Sequence, residues 1–112
     1  MNIFIDDERN PNFHISEEYQ IFRSYESFLE SYTYKDLCDP NIQIVYLSLD
    51  HDMGENKMNG YEFLKNLEKY IYWNNVYLAV DINIHSQNPV GKANMERALQ
   101  SMDKARFLEY EE

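Results

Sequence analysis

Cysteine is all but missing from this sequence. Cys38 stands alone among 112 residues, so no internal disulfide can form and the side chain reads as a small buried apolar group. A reducing, cytoplasmic compartment is expected. Glycine and proline are scarce, three of each. There is no P-loop, no dinucleotide-binding glycine pattern, no Cys/His zinc spacing and no nucleophile elbow, which sets those enzyme classes aside. Basic residues are outnumbered two to one: 10 Lys and Arg face 20 Asp and Glu, a formal charge of −10. A grip on duplex nucleic acid needs clustered Lys and Arg to displace counterions, so none is expected, and any phosphate ligand calls for a cation. No apolar run approaches the roughly 20 residues that span a bilayer. The first residues reach Asp6 and Asp7 without a basic stretch, so neither a signal peptide nor a membrane role is expected.

What is present is the material of a core. Apolar residues make up 44% and aromatics 15%, well away from the signature of disorder. The length suits one domain, 1–112, with one core and one site. Richness in Asn, Ile and Tyr with few Ala suggests an AT-rich genome, such as that of a phage or mobile element.

Asn2 to Ile5 is a short apolar run stopped by acids and reads as a buried strand. Glu8 to Glu18, with Pro11 and no amphipathic period, reads as a loop or one helical turn. Tyr19 to Arg23 gives a second strand. After Ser24 as N-cap, Tyr25, Phe28, Leu29 and Tyr32 recur at helical spacing. Asp39-Pro40-Asn41 is a turn, and Ile42 to Leu49 is the most strand-like stretch. Phe63, Leu64, Leu67, Tyr70 and Ile71 predict a second helix, and Val76 to Ile84 a fourth strand. Asn88-Pro89 opens a third helix with Met95, Ala98, Leu99 and Met102 inward, and Arg106 to Tyr110 is expected as a last edge strand. The alternation implies an α/β fold: one doubly wound, mainly parallel five-stranded sheet of flavodoxin-like topology, its first helix reduced or missing.

Ligands of such sheets sit beyond the carboxyl ends of the strands where strand order reverses, which brings Asp6-Asp7 beside Asp50-His51-Asp52. Crowded carboxylates raise one another's pKa unless a cation intervenes. Asp6, Asp7 and Asp50 are therefore candidate ligands for Mg2+ or Mn2+, which would leave coordination positions for phosphate oxygens. The plainer reading, acids serving as turn and cap residues, stands beside it. His85-Ser86-Gln87-Asn88-Pro89-Val90-Gly91 runs from a strand end into a helix N-terminus, where Ser86, Asn88 and Gly91 could meet a phosphate. His51 and His85 are candidate general acids or bases near neutral pH, His14 a weaker one, and Arg9 could bind a phosphate or an acid bidentately. The ten Tyr are too dispersed to give a base-stacking site an address.

Ile5-Asp6-Asp7, Leu47-Ser48-Leu49-Asp50, Met53 and Met58-Asn59-Gly60-Tyr61-Glu62-Phe63 resemble response-regulator receiver domains. In that family the acidic pair binds Mg2+ and the acid after the third strand accepts a phosphoryl group, which by position is Asp50. The sequence departs from receivers in lacking a credible first helix and a Lys after the last strand; Lys104 precedes that strand. A closer resemblance is to the cyclic-phosphate-processing receiver-like family, carried by Asp6-Asp7-Glu8-Arg9-Asn10-Pro11, Leu49-Asp50-His51-Asp52-Met53-Gly54, and the block from His85 to Gly91 with Asn94-Met95. It implies hydrolysis of a cyclic phosphate of a nucleotide, RNA end or ADP-ribose, in RNA repair, nucleotide metabolism or phage-host conflict. On that expectation the acids hold the metal, Arg9 and Ser86 offset charge on phosphorus, and His51 or His85, with His85 favoured, protonates the leaving oxygen. A variant has Asp50 attack covalently. Two alternatives remain: a non-enzymatic receiver that binds a partner protein or sequesters a cyclic nucleotide, and a phosphoaspartate switch.

Overall fold

Four short strands pair side by side into a sheet, each ending where polar residues begin. The computed structural model describes residues 1–11 and 19–110, and in the last helix only the backbone beyond Met102. β1 (Asn2–Ile5), β2 (Tyr19–Phe22), β3 (Tyr46–Leu49) and β4 (Asp81–Ile84) lie in the order β2-β1-β3-β4. All three pairings are parallel, with Ile5 opposite both Phe22 and Leu49, and Leu49 opposite Ile84. That register aligns the carboxyl ends of all four strands. Asp6, Asp50 and His85, each the residue after a strand, are therefore set in one row.

Period-2 alternation divides the strands. Ile3, Ile5, Leu47, Leu49 and Ile84 join one continuous core with Tyr25, Phe28, Phe63, Leu64, Leu67 and Met95 of the helices. Fully burying a side chain of this size contributes about 1.5–3 kcal/mol. Phe4 faces the other way, outside that cluster, and carries the ring of His85 stacked at 4.2 Å.

Helix α1 (Tyr25–Ser31) starts as its sequence predicts, with the Ser24 side chain accepting from the Ser27 N–H. Helix α3 (Gly60–Asn74) opens on a reciprocal capping box between Asn59 and Glu62 and ends at Asn75, which takes the left-handed conformation at φ 52. A one-turn helix, α2 (Tyr34–Leu37), was not expected; its signal is the capping box Thr33-x-x-Asp36.

Three expectations are corrected. The sheet has four strands among the described residues, not five: the backbone of Arg106–Tyr110 is the last part of α4 (Pro89–Tyr110). Beyond Gly91 the sequence offers that helix no Gly or Pro to stop it, while Lys104, Ala105, Arg106 and Leu108 are good helix formers. The strand expected over Ile42–Leu49 begins only at Tyr46, because the Ile42 N–H closes a turn on the Asp39 carbonyl. The one expected over Val76–Ile84 begins only at Asp81, because the Ala79 N–H turns away to the Leu37 carbonyl. The expected loop or turn from Glu8 to Glu18 lies mostly outside the described residues, as does His14. Among the described residues no helix is long and apolar enough to cross a membrane.

Candidate functional site

Asp6 is the pivot of the row. Its Oδ1 accepts the backbone N–H groups of Glu8 (2.9 Å) and Arg9 (2.8 Å), a turn closed by the carboxylate itself. Its Oδ2 lies 3.1 Å from Arg9 Nε and 3.0 Å from His85 Nε2. Burial alone would raise the pKa of Asp6, but those two N–H groups, the His85 bond and the Arg9 charge outweigh it and hold the pKa below the ordinary value. Asp6 is thus ionised and can only accept, so His85 Nε2 carries a proton and donates it. Burial also lowers the pKa of His85 against the opposing pull of Asp6, which leaves the ring neutral near pH 7. The Ser48 hydroxyl, 2.7 Å from Nδ1, then donates to the free lone pair. Both ring nitrogens are engaged.

Asp50 stands across from Asp6 with less help. Burial first, and the Asp6 charge second, push its pKa up to about 6, although the His51 N–H and Arg9 pull the other way and Asp7 adds a further rise. The His51 N–H reaches Asp50 Oδ1 at 2.9 Å, and Arg9 Nη2 reaches the same oxygen at 3.4 Å. Arg9 Nη2 also donates to the His85 carbonyl at 3.0 Å. One guanidinium therefore ties the ends of β1, β3 and β4 together. The resemblance to receivers would put a Lys near Asp50; here the cation beside it is Arg9. Behind Asp50 the backbone is fixed from the core, with the buried Tyr25 hydroxyl donating to its carbonyl at 2.5 Å and the Gly60 N–H donating to the His51 carbonyl at 3.0 Å.

A second group adjoins the first. His51 Nδ1 lies 2.9 Å from Asp52 Oδ1, and that bond lowers the pKa of Asp52. The Asn88 amide approaches both Asp52 oxygens at 3.4 Å, while its Oδ1 caps α4 by accepting the Gly91 N–H. Gly91 packs on the His51 ring so closely that an added Cβ would overlap Cδ2 and Nδ1, at 2.6 and 2.7 Å. Ser86 Oγ accepts the Asn88 N–H. Ser86, Asn88 and Gly91 thus build the start of α4 against His51, with two of its N–H groups already taken.

Of the expected metal ligands, Asp6 and Asp50 come together, and with them His85: one ligand atom of each lies within 4.8 Å of the others. Asp7 is outside that trio, though its charge reaches Asp50. Two adjacent buried carboxylates, one with a raised pKa, are close enough to His85 and to each other to hold a metal ion. Coordination would require Arg9 to release at least Asp50. The sequence reading had no role for Ser48, Tyr25 or Arg23. Ser48 had a signal, a small polar side chain inside the apolar run Val45–Leu49; Tyr25 looked like any core aromatic.

The family model described as the cyclic-phosphate processing receiver domain matches residues 1–101. No curated protein and no solved structure matches the chain significantly.

Proposed function

The chain belongs to the cyclic-phosphate processing receiver domain family, and from that premise we propose that it hydrolyses a cyclic phosphodiester to a phosphomonoester at the Asp6–Asp50 site. The observation that carries this reading is the convergence of Arg9, Asp6, Asp50 and His85 from three strand ends onto one point. A guanidinium at a strand-end site is suited to phosphoryl oxygens, and the Arg9 side chain is 40% exposed, open to a ligand on its outer side.

A divalent ion would be held by Asp6 and Asp50 with Asp7 beside them, and when bound it supplies positive charge toward the phosphoryl oxygens. The remaining roles fall to side chains. Arg9 turns from Asp50 to the phosphate and offsets the charge that grows on its oxygens. The Asp50 carboxylate, across from Asp6, takes the proton from the attacking water. As the water oxygen bonds to phosphorus, the phosphorus–ribose oxygen bond breaks, and His51 gives its proton to the departing oxygen. Asp52 holds that ring by its Nδ1. Exchange with solvent then returns the proton from Asp50 and restores the one on His51.

This assigns the acid to His51 rather than to His85. The His85 ring is held at both nitrogens by Asp6 and Ser48, and its work is to orient Asp6. The test is turnover of 2′,3′-cyclic nucleotides, ADP-ribose cyclic phosphate and cyclic oligonucleotides with Mg2+ or Mn2+, products being read by mass. A ring-opened monoester, 18 Da heavier by one water, is expected from one of them. No product from any would count against the reading.

A further inference from the structure

We propose that Arg23 is the positioning residue that aims Arg9, acting on it through the main chain. This rests on the reading of Arg9 as the phosphate-facing cation. Arg23 follows β2 directly, beside the point where β1 gives way to the segment Asp6–Asn10. Its Nη1 donates to the carbonyls of Arg9 (2.6 Å) and Asp6 (3.2 Å), and its Nη2 donates to Asn10 Oδ1 at 2.7 Å.

The segment is gripped in two complementary ways. From inside, the Asp6 carboxylate collects the N–H groups of Glu8 and Arg9. From outside, Arg23 collects the carbonyls of Asp6 and Arg9 and the side chain of Asn10. These side-chain bonds hold Asp6–Asn10 from both sides. The anchor also has a fixed frame of its own, because the Asp6 N–H pairs with the Phe22 carbonyl, next to Arg23.

Chemistry decides why the anchor is an arginine. Three acceptors spread over two nitrogens match a planar fork; a lysine carries its donors on one nitrogen and cannot span them. Arg23 touches none of the groups proposed to meet substrate. Its effect reaches them because the carbonyl it holds most closely belongs to Arg9 itself, whose side chain must meet Asp6, Asp50 and the His85 carbonyl together. A displacement of about 1 Å in such a group can cost roughly 10²-fold in rate.

The experiment uses the whole chain and two readouts. The first is hydrogen exchange at the Arg9 Nε–H, followed in 15N spectra and assigned by its loss in Arg9→Lys. The bond to Asp6 should protect it in the unsubstituted chain, and Arg23→Lys should speed its exchange at least tenfold. Arg23→Gln provides the same reading should the lysine variant fold poorly. The second is a double-mutant cycle on a cyclic nucleotide that the chain turns over. Arg23→Lys should lower kcat/KM by about 10²-fold, and adding it to Arg9→Lys should lower it no further, since both act through one group. Unchanged exchange at Arg9, or losses that simply multiply, would overturn the proposal. If the unsubstituted chain turns over no cyclic phosphate, the hydrolase reading fails, and the exchange measurement alone still decides for or against the Arg23 clamp.

Discussion

His85 and Asp6, 79 residues apart in the chain, meet at 3.0 Å, and the far side of the imidazole is closed by Ser48. This pair defines the difference between the two histidines. His85→Ala removes a donor from a buried carboxylate and an acceptor from a buried hydroxyl, which should destabilise the fold by about 1–3 kcal/mol in urea unfolding. His51→Ala should cost less stability, since the partner it loses is the exposed Asp52, and should cut kcat by roughly 10²–10⁴-fold. The reverse pattern would return the acid role to His85.

Metal-free stability should depend on pH through Asp50. Its folded pKa, about 6, lies above the ordinary 3.8, so the folded state binds the proton more tightly. The stabilising contribution is full below about pH 4 and is lost as pH rises through 6. In chelator, unfolding free energy should therefore fall between pH 4 and 7, by up to about 2–3 kcal/mol. Asp50→Asn should flatten that fall and raise stability at pH 7. Asp6, its pKa depressed, contributes in the opposite sense, losing its stabilisation only at lower pH. An Asn variant with an unchanged profile would refute the assignment.

Millimolar Mg2+ or Mn2+ should raise the melting temperature by linkage. Asp50→Asn should abolish most of the rise, and Asp7→Asn should reduce it less, as Asp7 lies outside the close trio. Equal losses for the two variants would place Asp7 in the inner set of ligands; no rise at all in the unsubstituted chain would remove the metal from the proposal.

Gly60 starts α3 where a Cβ would run into the Asp50 carbonyl and the Met95 side chain. The methionine can swing aside; the carbonyl is pinned by Tyr25. Gly60→Ala should cost about 1–3 kcal/mol through overpacking and should lower activity as well, because relief must come from the backbone of Asp50. Circular dichroism melts and kcat on the same preparation would check both.

The sequence carried the row of site residues well, for a physical reason. Asp6, Asp50 and His85 each directly follow a strand, and a parallel sheet in register turns that local fact into proximity. Ser24 and Asn88 were legible as caps because capping is a matter of three residues. Arg23 was not legible. A cation after a strand looks like any solvated charge, and its acceptors are carbonyls, which sequence does not display. The last strand failed for a related reason: Phe107, Leu108 and Tyr110 are a short apolar set that fits either period, and no breaker separates them from the helix before. The preference for His85 as acid followed from its neighbourhood, and the proposal of His51 in its place follows from the partners of the two His85 nitrogens.

The bond from Tyr25 to the Asp50 carbonyl has a consequence for how the molecule opens. Tyr25 is fully buried and stacked on Phe63, so Asp50 hangs from the cooperative centre of the protein. Freeing it requires disturbing the packed core around Tyr25 and Phe63. The Arg9 segment hangs on Asp6 from within and on Arg23 from without, and the bonds of Arg23 to Arg9 and Asn10 lie at the surface, where local opening is cheap. The two halves of the site thus belong to different stability classes. Asp50 is held from the core, while the outer bonds that hold the Arg9 segment can open locally without disturbing that core.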